Sequence, residues 1–280
     1  MIYMKTAIIG LGLIGGSMAK AYKASGGAQV YGYDTDKATL GYAKLSEAID
    51  EELTDEILRK CDLVIIALYP DDTVKYLREK SGLFSKDALV IDTCGIKREV
   101  CRVGFELADK YGFTFVGGHP MAGLQFSGIK YSRADMFRGA SMVVVPPSFE
   151  DIALLERIKT ALRPLDLGKI TLSTAEKHDR IIAYTSQLAH IVSSSYIKSP
   201  TASEHEGFSA GSYRDMTRVA TLNENMWTSL FMQNRENLIF EIDSIIGALS
   251  EYRAALEKGD ESTLRSLLRS GTDRKSDIDG

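Results

Sequence analysis

The first 170 or so residues alternate short hydrophobic runs with polar or amphipathic stretches. Most runs last about four to six residues and are rich in β-branched side chains, which is typical of parallel strands covered on both faces. The segments between the runs have about the length of crossover helices. The pattern therefore predicts a doubly wound α/β domain with a parallel sheet. The predicted strands span residues 6–9, 29–33, 63–68, 88–92, 114–116, 141–145 and 169–172.

The pattern changes after Leu172. From there to about Leu268 the hydrophobic residues follow a helical period, and almost no strand signal remains. We therefore predict two domains, an α/β domain over residues 1–172 and an all-helical domain over residues 173–280.

The longest helical pattern in the second domain carries a hydrophobic residue at alternating steps of four and three, which is a heptad seam. With Asn223 as a candidate cap, this helix would run past about 30 residues, or roughly 50 Å. A helical domain of about 110 residues does not need so long a helix for its own core. The pattern favours a homodimer in which a second copy covers part of the helix, and the alternative is a long core helix within one chain. The seam consists of Leu238, Ile242, Ile245, Leu249, Tyr252 and Leu256.

Composition narrows the classes of partner. A formal net charge of -4 gives no reason to expect binding to nucleic acid or to an anionic membrane. No stretch approaches the roughly 20 apolar residues that cross a bilayer, and the amino-terminal apolar run is too short for a signal peptide. The three cysteines lack CxxC spacing, which argues against a disulfide framework and a structural zinc site. We therefore expect a cytoplasmic protein without a metal site.

A glycine-rich segment follows the first predicted strand. Gly10, Gly12 and Gly15 form the pattern GxGxxG, and a helical pattern begins directly after it. Gly10 permits a tight turn, Gly12 lets the backbone approach a pyrophosphate, and Gly15 lets the helix lie close to the strand. The amides of Leu13 and Ile14, at the start of the helix, would face the phosphates. The segment predicts a dinucleotide site.

Asp34 follows the second predicted strand, 19 positions after Gly15. A carboxylate at this point can accept hydrogen bonds from both hydroxyls of an adenosine ribose, and it would repel a 2′-phosphate. The position of Asp34 therefore predicts NAD rather than NADP as the cofactor.

The chain contains four histidines, and one of them stands out. His119 comes directly after a predicted strand of the α/β domain, where such folds bind their ligands. A histidine there can accept a proton near neutral pH, so His119 is the candidate catalytic base, with a structural role in a turn as the alternative. His178 is interpreted as structural and His205 as a solvated loop residue. His190 fits substrate contact and packing equally.

Two arginines, Arg214 and Arg218, lie four positions apart in a predicted helix of the second domain. This spacing places both side chains on the same helix face. A guanidinium group presents a planar fork that can bind a carboxylate with two hydrogen bonds. The pair is therefore a candidate for binding an acidic substrate, and the alternative is a pair of surface arginines.

Taken together, four motifs resemble those of the prephenate and arogenate dehydrogenases. They occur in the order and at the spacing of that family, and the resemblance covers essentially residues 4–268. The motifs are GxGLIGGS at residues 10–17, HPMAG at 119–123 followed by Ser127-Gly128, AEKHDR at 175–180, and DxTR at 215–218.

The resemblance implies a Rossmann-type domain followed by a helical dimerisation domain, with the active site in the cleft between them. The implied reaction is the NAD-dependent oxidative decarboxylation of prephenate to 4-hydroxyphenylpyruvate, in tyrosine biosynthesis. The alternative substrate is arogenate. His119 would polarise the ring hydroxyl of the substrate as hydride leaves, and Arg218 would hold a substrate carboxylate. The residues expected to contact the substrate are Arg218, Arg214, His190, Gly95 and Ser127.

One departure from the family concerns Gly95, which stands where the family often has a serine that contacts the catalytic histidine and the hydroxyl. Thr93 or a water molecule could take the role of that serine. Two other functions stay open. A β-hydroxyacid dehydrogenase would need a catalytic lysine on the helical domain, for which Lys177 and Lys198 are poor candidates. An NAD(H) sensor without catalytic activity would explain the missing serine.

Overall fold

The computed structural model of the chain describes residues 4–124 and 126–279. The chain folds into two compact units. Unit 1 comprises Met1–Ile182 and Glu224–Gln233, and unit 2 comprises Ala183–Asn223 and Asn234–Gly280.

Unit 1 is built on a sheet that has eight strands within the described residues, in the order β3-β2-β1-β4-β5-β6-β7-β8. The order reverses direction between β1 and β4, which is the switch point where doubly wound sheets bind their ligands. The prediction of a doubly wound α/β fold is confirmed. The strands are β1 (Met4–Ile9), β2 (Ala28–Tyr33), β3 (Glu51–Glu52), β4 (Leu63–Ile66), β5 (Leu89–Asp92), β6 (Thr114–Pro120), β7 (Ser141–Val145) and β8 (Lys169–Leu172).

One pairing departs from the parallel sheet that the hydrophobic runs predict. β7 pairs with β6 in the antiparallel direction, with Gly117 opposite Val145 and Pro120 opposite Met142. Hydrophobic runs report burial on both faces of a strand, and they do not report its direction. The runs also miss β3, whose two glutamates pair with Tyr31 and Gly32 at the edge of the sheet.

Helices cover both faces of the sheet. One face buries Met18 and Tyr22 of the first helix, and the other buries Val100 and Val103 of the fifth. Polar residues set some of the helix starts, as Asp36 does by accepting hydrogen bonds from the amides of Ala38 and Thr39. The helices of unit 1 are α1 (Leu13–Ala24), α2 (Lys37–Leu45), α3 (Asp55–Leu58), α4 (Pro70–Lys80), α5 (Arg98–Tyr111), α6 (Ile152–Leu162), α7 (Ala175–Ile182) and α10 (Glu224–Gln233).

In its described part, unit 2 contains helices joined by turns and has no strand. Its helices are a π-helical turn (Ala183–Leu188), α8 (Ala189–Tyr196), a 3₁₀ turn (Pro200–Glu204), α9 (Gly211–Thr217), α11 (Arg235–Lys258) and α12 (Glu261–Asp279). Among the described residues of the whole chain, no helix combines the length and the apolar character needed to cross a membrane.

The single long helix predicted to start at Asn223 is interrupted. α10 ends at Gln233, and Asn234 has φ −117° and ψ 21°, outside helical values, before α11 begins. The Asn234 side chain is buried and donates a hydrogen bond of 2.8 Å to Oε1 of Gln187, within unit 2. Periodicity alone misses the break, because the hydrophobic spacing continues across it. α11 itself has 24 residues, which gives it a length of about 36 Å.

Candidate active site

The turn between β1 and α1 depends on two glycines for its backbone shape. Gly10 has a φ of +85°, and a Cβ atom there would lie 2.4 Å from the carbonyl oxygen of Ala67. A Cβ on Gly15 would lie 1.9 Å from the carbonyl oxygen of Gly10. No side chain can approach a backbone oxygen so closely, so larger residues would push α1 away from the sheet.

Gly12 differs from these two glycines. It caps the amino terminus of α1, and a Cβ there would meet nothing within 4 Å. The first amides of α1, including those of Leu13 and Ile14, have no acceptor within the helix and form the positive end of its dipole. Packing within the chain therefore does not require a glycine at position 12, whereas close approach of a phosphate to these amides would.

Asp34 lies directly after β2 and reaches back to the glycine turn. Its Oδ2 accepts a hydrogen bond of 2.8 Å from the amide of Leu11, and its Oδ1 accepts one of 2.9 Å from the amide of Asp36. These two bonds hold the carboxylate beside the turn. Each oxygen keeps a second lone pair with which it can accept a hydrogen bond from a ligand hydroxyl.

His119 lies within β6, opposite Val143 of β7, rather than in the turn after the strand as the sequence predicts. β6 is longer than the predicted strand because Gly117 and Gly118 continue it. The side chain is partly exposed. Its Nδ1 lies 2.9 Å from Nε2 of His178, and the two rings meet edge to face. Among the described residues, none forms a hydrogen bond with its other nitrogen, Nε2.

His178 and Asp179 lie on α7, and both are almost completely buried. Nδ1 of His178 lies 2.7 Å from Oδ1 of Asp179. The same carboxylate accepts hydrogen bonds from two backbone amides at the start of α5, 2.7 Å from Lys97 and 2.9 Å from Arg98. The amides fix the carboxylate, the carboxylate binds His178, and His178 binds His119.

Lys97 and Asp92 form an ion pair, and both side chains have no exposed surface. Asp92 also accepts hydrogen bonds from the amides of Cys94 and Gly118, at 2.8 and 3.2 Å. Burial alone would lower the pKa of Lys97, but Asp92, Cys94 and Cys101 together outweigh it and the pKa lies above its usual value. Lys97 is therefore a fixed positive charge whose partner is held in place by the backbone.

The surroundings set the charge of each group in the network. Burial lowers the pKa of His119 well below its usual value, and His178 and Lys97 lower it further. Burial also lowers the pKa of His178, although the hydrogen bond to Asp179 opposes this. Burial alone would raise the pKa of Asp179, but the hydrogen bonds from His178 and the amides of Arg98 and Lys97 bring it below its usual value. At neutral pH both histidines are therefore neutral and Asp179 is ionised.

Gly95 lies beside the second nitrogen of His119. A Cβ on Gly95 would lie 3.9 Å from Nε2 of His119 and 3.7 Å from a methyl group of Leu230 in α10. A side chain would fit there in ordinary contact, so the glycine is not required by the backbone. Thr93 does not replace the missing serine, because its hydroxyl is buried and donates to the carbonyl of Ile66 at 3.4 Å.

The other predicted substrate residues belong to other elements of the chain. Ser127 of unit 1 is exposed in the loop after β6. His190 is partly buried on α8 of unit 2, where its Nδ1 lies 2.8 Å from the carbonyl oxygen of Ser186. Arg214 lies on α9 and Arg218 directly after its last residue, and both side chains are exposed.

Two residues of the network, His178 and Asp179, are absent from the catalytic residues predicted from the sequence. The sequence feature that could have revealed them is the adjacent His-Asp pair within the motif at residues 175–180. The sequence analysis interprets His178 as structural. The contact with His119 spans 59 residues, so local spacing does not reveal it. Lys97 and Asp92 belong to the same arrangement and were also not predicted.

The sequence matches two family models over most of its length. Residues 18–170 match a family model described as the nucleotide-binding domain of prephenate dehydrogenase. Residues 174–270 match one described as its dimerization domain. The chain belongs to the prephenate dehydrogenase family.

Relatives within the prephenate dehydrogenase family align with nearly the whole chain. The prephenate dehydrogenase of Bacillus subtilis is 29% identical over 98% of this chain and 76% of its own length. The cyclohexadienyl dehydrogenase of Zymomonas mobilis is 28% identical over 92% of this chain and 90% of its own length. The crystal structure of A. aeolicus prephenate dehydrogenase in complex with hydroxyphenyl propionate and NAD+ is 26% identical, with a TM-score of 0.81 over 99% of both chains.

The family assignment confirms the resemblance drawn from the four motifs. It also confirms the predicted class of enzyme, an oxidoreductase of the prephenate dehydrogenase type with a nucleotide-binding domain. A hydroxyisobutyrate dehydrogenase from Mycobacterium tuberculosis is a more distant structural neighbour, with a TM-score of 0.55 and 19% identity, and it shares the fold alone.

Proposed function

We propose that this member of the prephenate dehydrogenase family oxidises prephenate with NAD and releases carbon dioxide and 4-hydroxyphenylpyruvate, as a step of tyrosine biosynthesis. The observation that carries the proposal is the state of His119. Its ring is neutral, it is held through Nδ1, and its Nε2 lies beside the small residue Gly95. Such a ring can accept the proton of a substrate hydroxyl near neutral pH.

The glycine turn fits NAD. Gly10 and Gly15 shape the turn, Gly12 leaves the approach to α1 open, and the amides of Leu13 and Ile14 would bind the pyrophosphate. Asp34 would bind the adenosine ribose and would repel a 2′-phosphate by like charge. When bound there, NAD accepts the hydride that the substrate loses.

The chain positions the substrate and moves one proton. As the C–H bond at the hydroxyl carbon breaks, Nε2 of His119 accepts the hydroxyl proton and the C–O bond becomes a carbonyl. The ring carboxylate then leaves as carbon dioxide, and its bonding electrons pass through the ring to the carbonyl oxygen, which recovers a proton from His119. The ring becomes aromatic, which makes the reaction essentially irreversible. Charge and protons balance without a second acid or base.

Substrate binding in this proposal depends on polar side chains. Arg218, with Arg214 four positions before it, would bind a carboxylate through its planar guanidinium group. His190 and Ser127 would contact the substrate through polar atoms. Gly95 would leave room beside His119 for the substrate or a water molecule, where the family often has a serine.

We also propose that the chain functions as a homodimer, with residues 1–172 as the dinucleotide-binding domain and residues 173–280 as the helical domain for substrate binding and dimerisation. The described part of α11 buries only Leu238 and Ala255. Phe240, Leu249 and Leu256 are each more than 60% exposed, which is a surface that a second copy would cover. Sedimentation at micromolar concentration tests this, because a particle of 30.8 kDa, the mass of one chain, would contradict it.

The free, buried thiols of Cys61, Cys94 and Cys101 fit a reducing compartment, which supports the cytoplasm as the location.

The experiment that tests the proposed reaction is a set of four assays of the purified protein, with prephenate or arogenate as substrate and NAD or NADP as cofactor. The absorbance of the reduced nicotinamide gives the rate, and chromatography identifies the product. We expect the highest kcat/KM with prephenate and NAD. A higher kcat/KM with arogenate would reassign the substrate. Binding of NAD without turnover of either acid would contradict the enzyme assignment and favour a sensor.

A further inference from the structure

We propose that His178 and Asp179 are positioning residues that fix His119 in the tautomer with a proton on Nδ1 and a free lone pair on Nε2. The proposal rests on the proposed function of His119 as the proton acceptor. It concerns how that histidine is prepared before the substrate arrives.

Asp179 forms the buried end of the network. Both of its oxygens accept backbone hydrogen bonds, from the amides of Lys97 and Arg98. Nε of the Arg98 guanidinium also lies 3.4 Å from Oδ2. Two amides donate to this carboxylate and a guanidinium lies beside it, so it is ionised and acts only as an acceptor. Nδ1 of His178, at 2.7 Å, must therefore carry the proton of that hydrogen bond.

The second step concerns the other nitrogen of His178. A second proton there would make a buried imidazolium, 2% exposed, in the neighbourhood of the charged Lys97. The lowered pKa of His178 agrees with a neutral ring. A neutral ring that carries its proton on Nδ1 has only a lone pair on Nε2. The contact of 2.9 Å with His119 therefore needs a proton on Nδ1 of His119.

A neutral imidazole ring carries only one proton on its two nitrogens. With its proton on Nδ1, His119 presents an unprotonated Nε2 on the side of Gly95. In water the neutral imidazole of histidine favours the opposite tautomer, with the proton on Nε2, which could not accept the hydroxyl proton. The two buried residues thus reverse the ordinary preference. They act on His119 as the aspartate of a catalytic triad acts on its histidine, with one additional ring in between.

The charges around the network act on a protonated His119 in opposite directions, and Lys97 disfavours the protonated form together with burial. Lys97 is compensated by Asp92, with which it forms a fully buried pair. The negative charge of Asp179 reaches His119 through His178, and it would stabilise the imidazolium that forms when His119 accepts a proton. Arg98 lies beside the other oxygen of Asp179, Oδ2, and not beside the oxygen that binds His178.

The direct test is the tautomer itself in the full-length protein, labelled with ¹⁵N in its imidazole rings and measured near pH 8, where histidines are neutral. Long-range proton–nitrogen correlation spectra distinguish a protonated ring nitrogen from an unprotonated one. Loss of signals in His119→Asn and His178→Gln assigns the two rings. We expect a proton on Nδ1 and none on Nε2 in both rings. A proton on Nε2 of His119 would overturn the proposal.

A kinetic test uses His178→Gln, because a glutamine amide can donate as well as accept and no longer dictates the tautomer. We expect kcat to fall by about 10- to 100-fold, as for other residues that orient a reactive ring, with a smaller change in KM. His119 should then show a mixture of tautomers in the same spectra. The control is His205→Asn, an exposed histidine stacked on Tyr213, which should leave kcat and the His119 signals unchanged.

The two tests separate the positioning of His119 from the proposed reaction. The spectra need neither cofactor nor substrate. A protein that shows the expected tautomer but does not oxidise prephenate would support the positioning and contradict the proposed function. An active protein with the opposite tautomer, or a His178→Gln variant with unchanged kcat and an unchanged His119 tautomer, would contradict the positioning alone.

Discussion

The glycine turn after β1 and the histidine network around β6 are built in different ways. The turn takes its shape from Gly10 and Gly15 within one connection, and Asp34 joins it from 23 residues away. The network joins α5, β6 and α7, and its hydrogen bonds span 59 and 82 residues. The turn depends on a backbone conformation that a short motif determines. The network forms only when three elements that lie far apart in the sequence pack together.

This difference separates what a substitution should do in each region. In the turn, a side chain obstructs either the fold or the ligand, depending on which glycine it replaces. In the network, a substitution changes where a proton lies, with little change in shape. Substitutions in each region can therefore test whether the two effects are separate.

The largest effect is expected for His119→Asn, which keeps a polar side chain in β6 but removes the group that accepts the proton. The kcat for prephenate should fall by about 10²- to 10⁴-fold, because general-base catalysis acts in the transition state. KM should change little, and NAD binding by calorimetry should be unaffected. A kcat near that of the unmodified protein would move the role to another group, with His190 the next candidate.

Two substitutions in the turn should differ from each other. Gly12→Ala should leave the melting temperature unchanged, since nothing in the chain lies within 4 Å of the new methyl group, while NAD affinity falls by roughly tenfold or more. Gly15→Ala should lower the melting temperature by several degrees, because its methyl group meets the carbonyl oxygen of Gly10. Equal melting temperatures of the two variants would show that the turn can move aside.

Asp34→Ser should change the choice of cofactor without affecting the network. The ratio of kcat/KM with NAD to that with NADP should fall by about tenfold, because a charged hydrogen bond to the ribose and a repulsion of the 2′-phosphate are both lost. The matched control is Asp36→Ser at the start of α2. Equal use of both cofactors by the unmodified protein would contradict the role of Asp34.

The smallest effect is a dependence of stability on pH. The pKa of buried His178 is lowered in the folded protein, so the unfolded chain binds more protons between the folded and unfolded pKa values. This contribution to the free energy of unfolding is present above the ordinary histidine pKa of about 6.5 and is lost as the pH falls through the lowered value. Denaturant titrations of the unmodified protein and of His178→Gln give the free energy of unfolding at each pH. As the pH falls below about 6.5, this free energy should decrease less in the variant.

The sequence predicts those parts of the molecule whose determinants are local. Seven predicted strands overlap β1, β2 and β4–β8, and the turn from Gly10 to Gly15 lies between β1 and α1 as the motif requires. Parallel strands buried on both faces give nearly continuous hydrophobic runs in the sequence. A turn that needs a φ of +85° favours glycine, and the sequence shows that glycine directly at position 10.

Other features depend on partners that lie far apart along the chain. The antiparallel direction of β7 comes from its pairing with β6, and the break at Asn234 accompanies a buried bond to Gln187. His178 lies in a helix whose local pattern is ordinary, and only the packing of α7 against α5 brings it to His119. Local patterns therefore indicated the candidate base but not the groups that prepare it.

We propose that a neutral His119, whose pKa is lowered by burial, His178 and Lys97, accepts the substrate proton. The measurement that tests it most directly is the pH profile of kcat/KM for prephenate at saturating NAD, which reports the groups of the protein before prephenate binds. Since the pKa of His119 is lowered, activity should stay constant as the pH falls to about 6.5, the ordinary histidine value, and decline only below it. An acidic limb centred at or above that value would contradict the account.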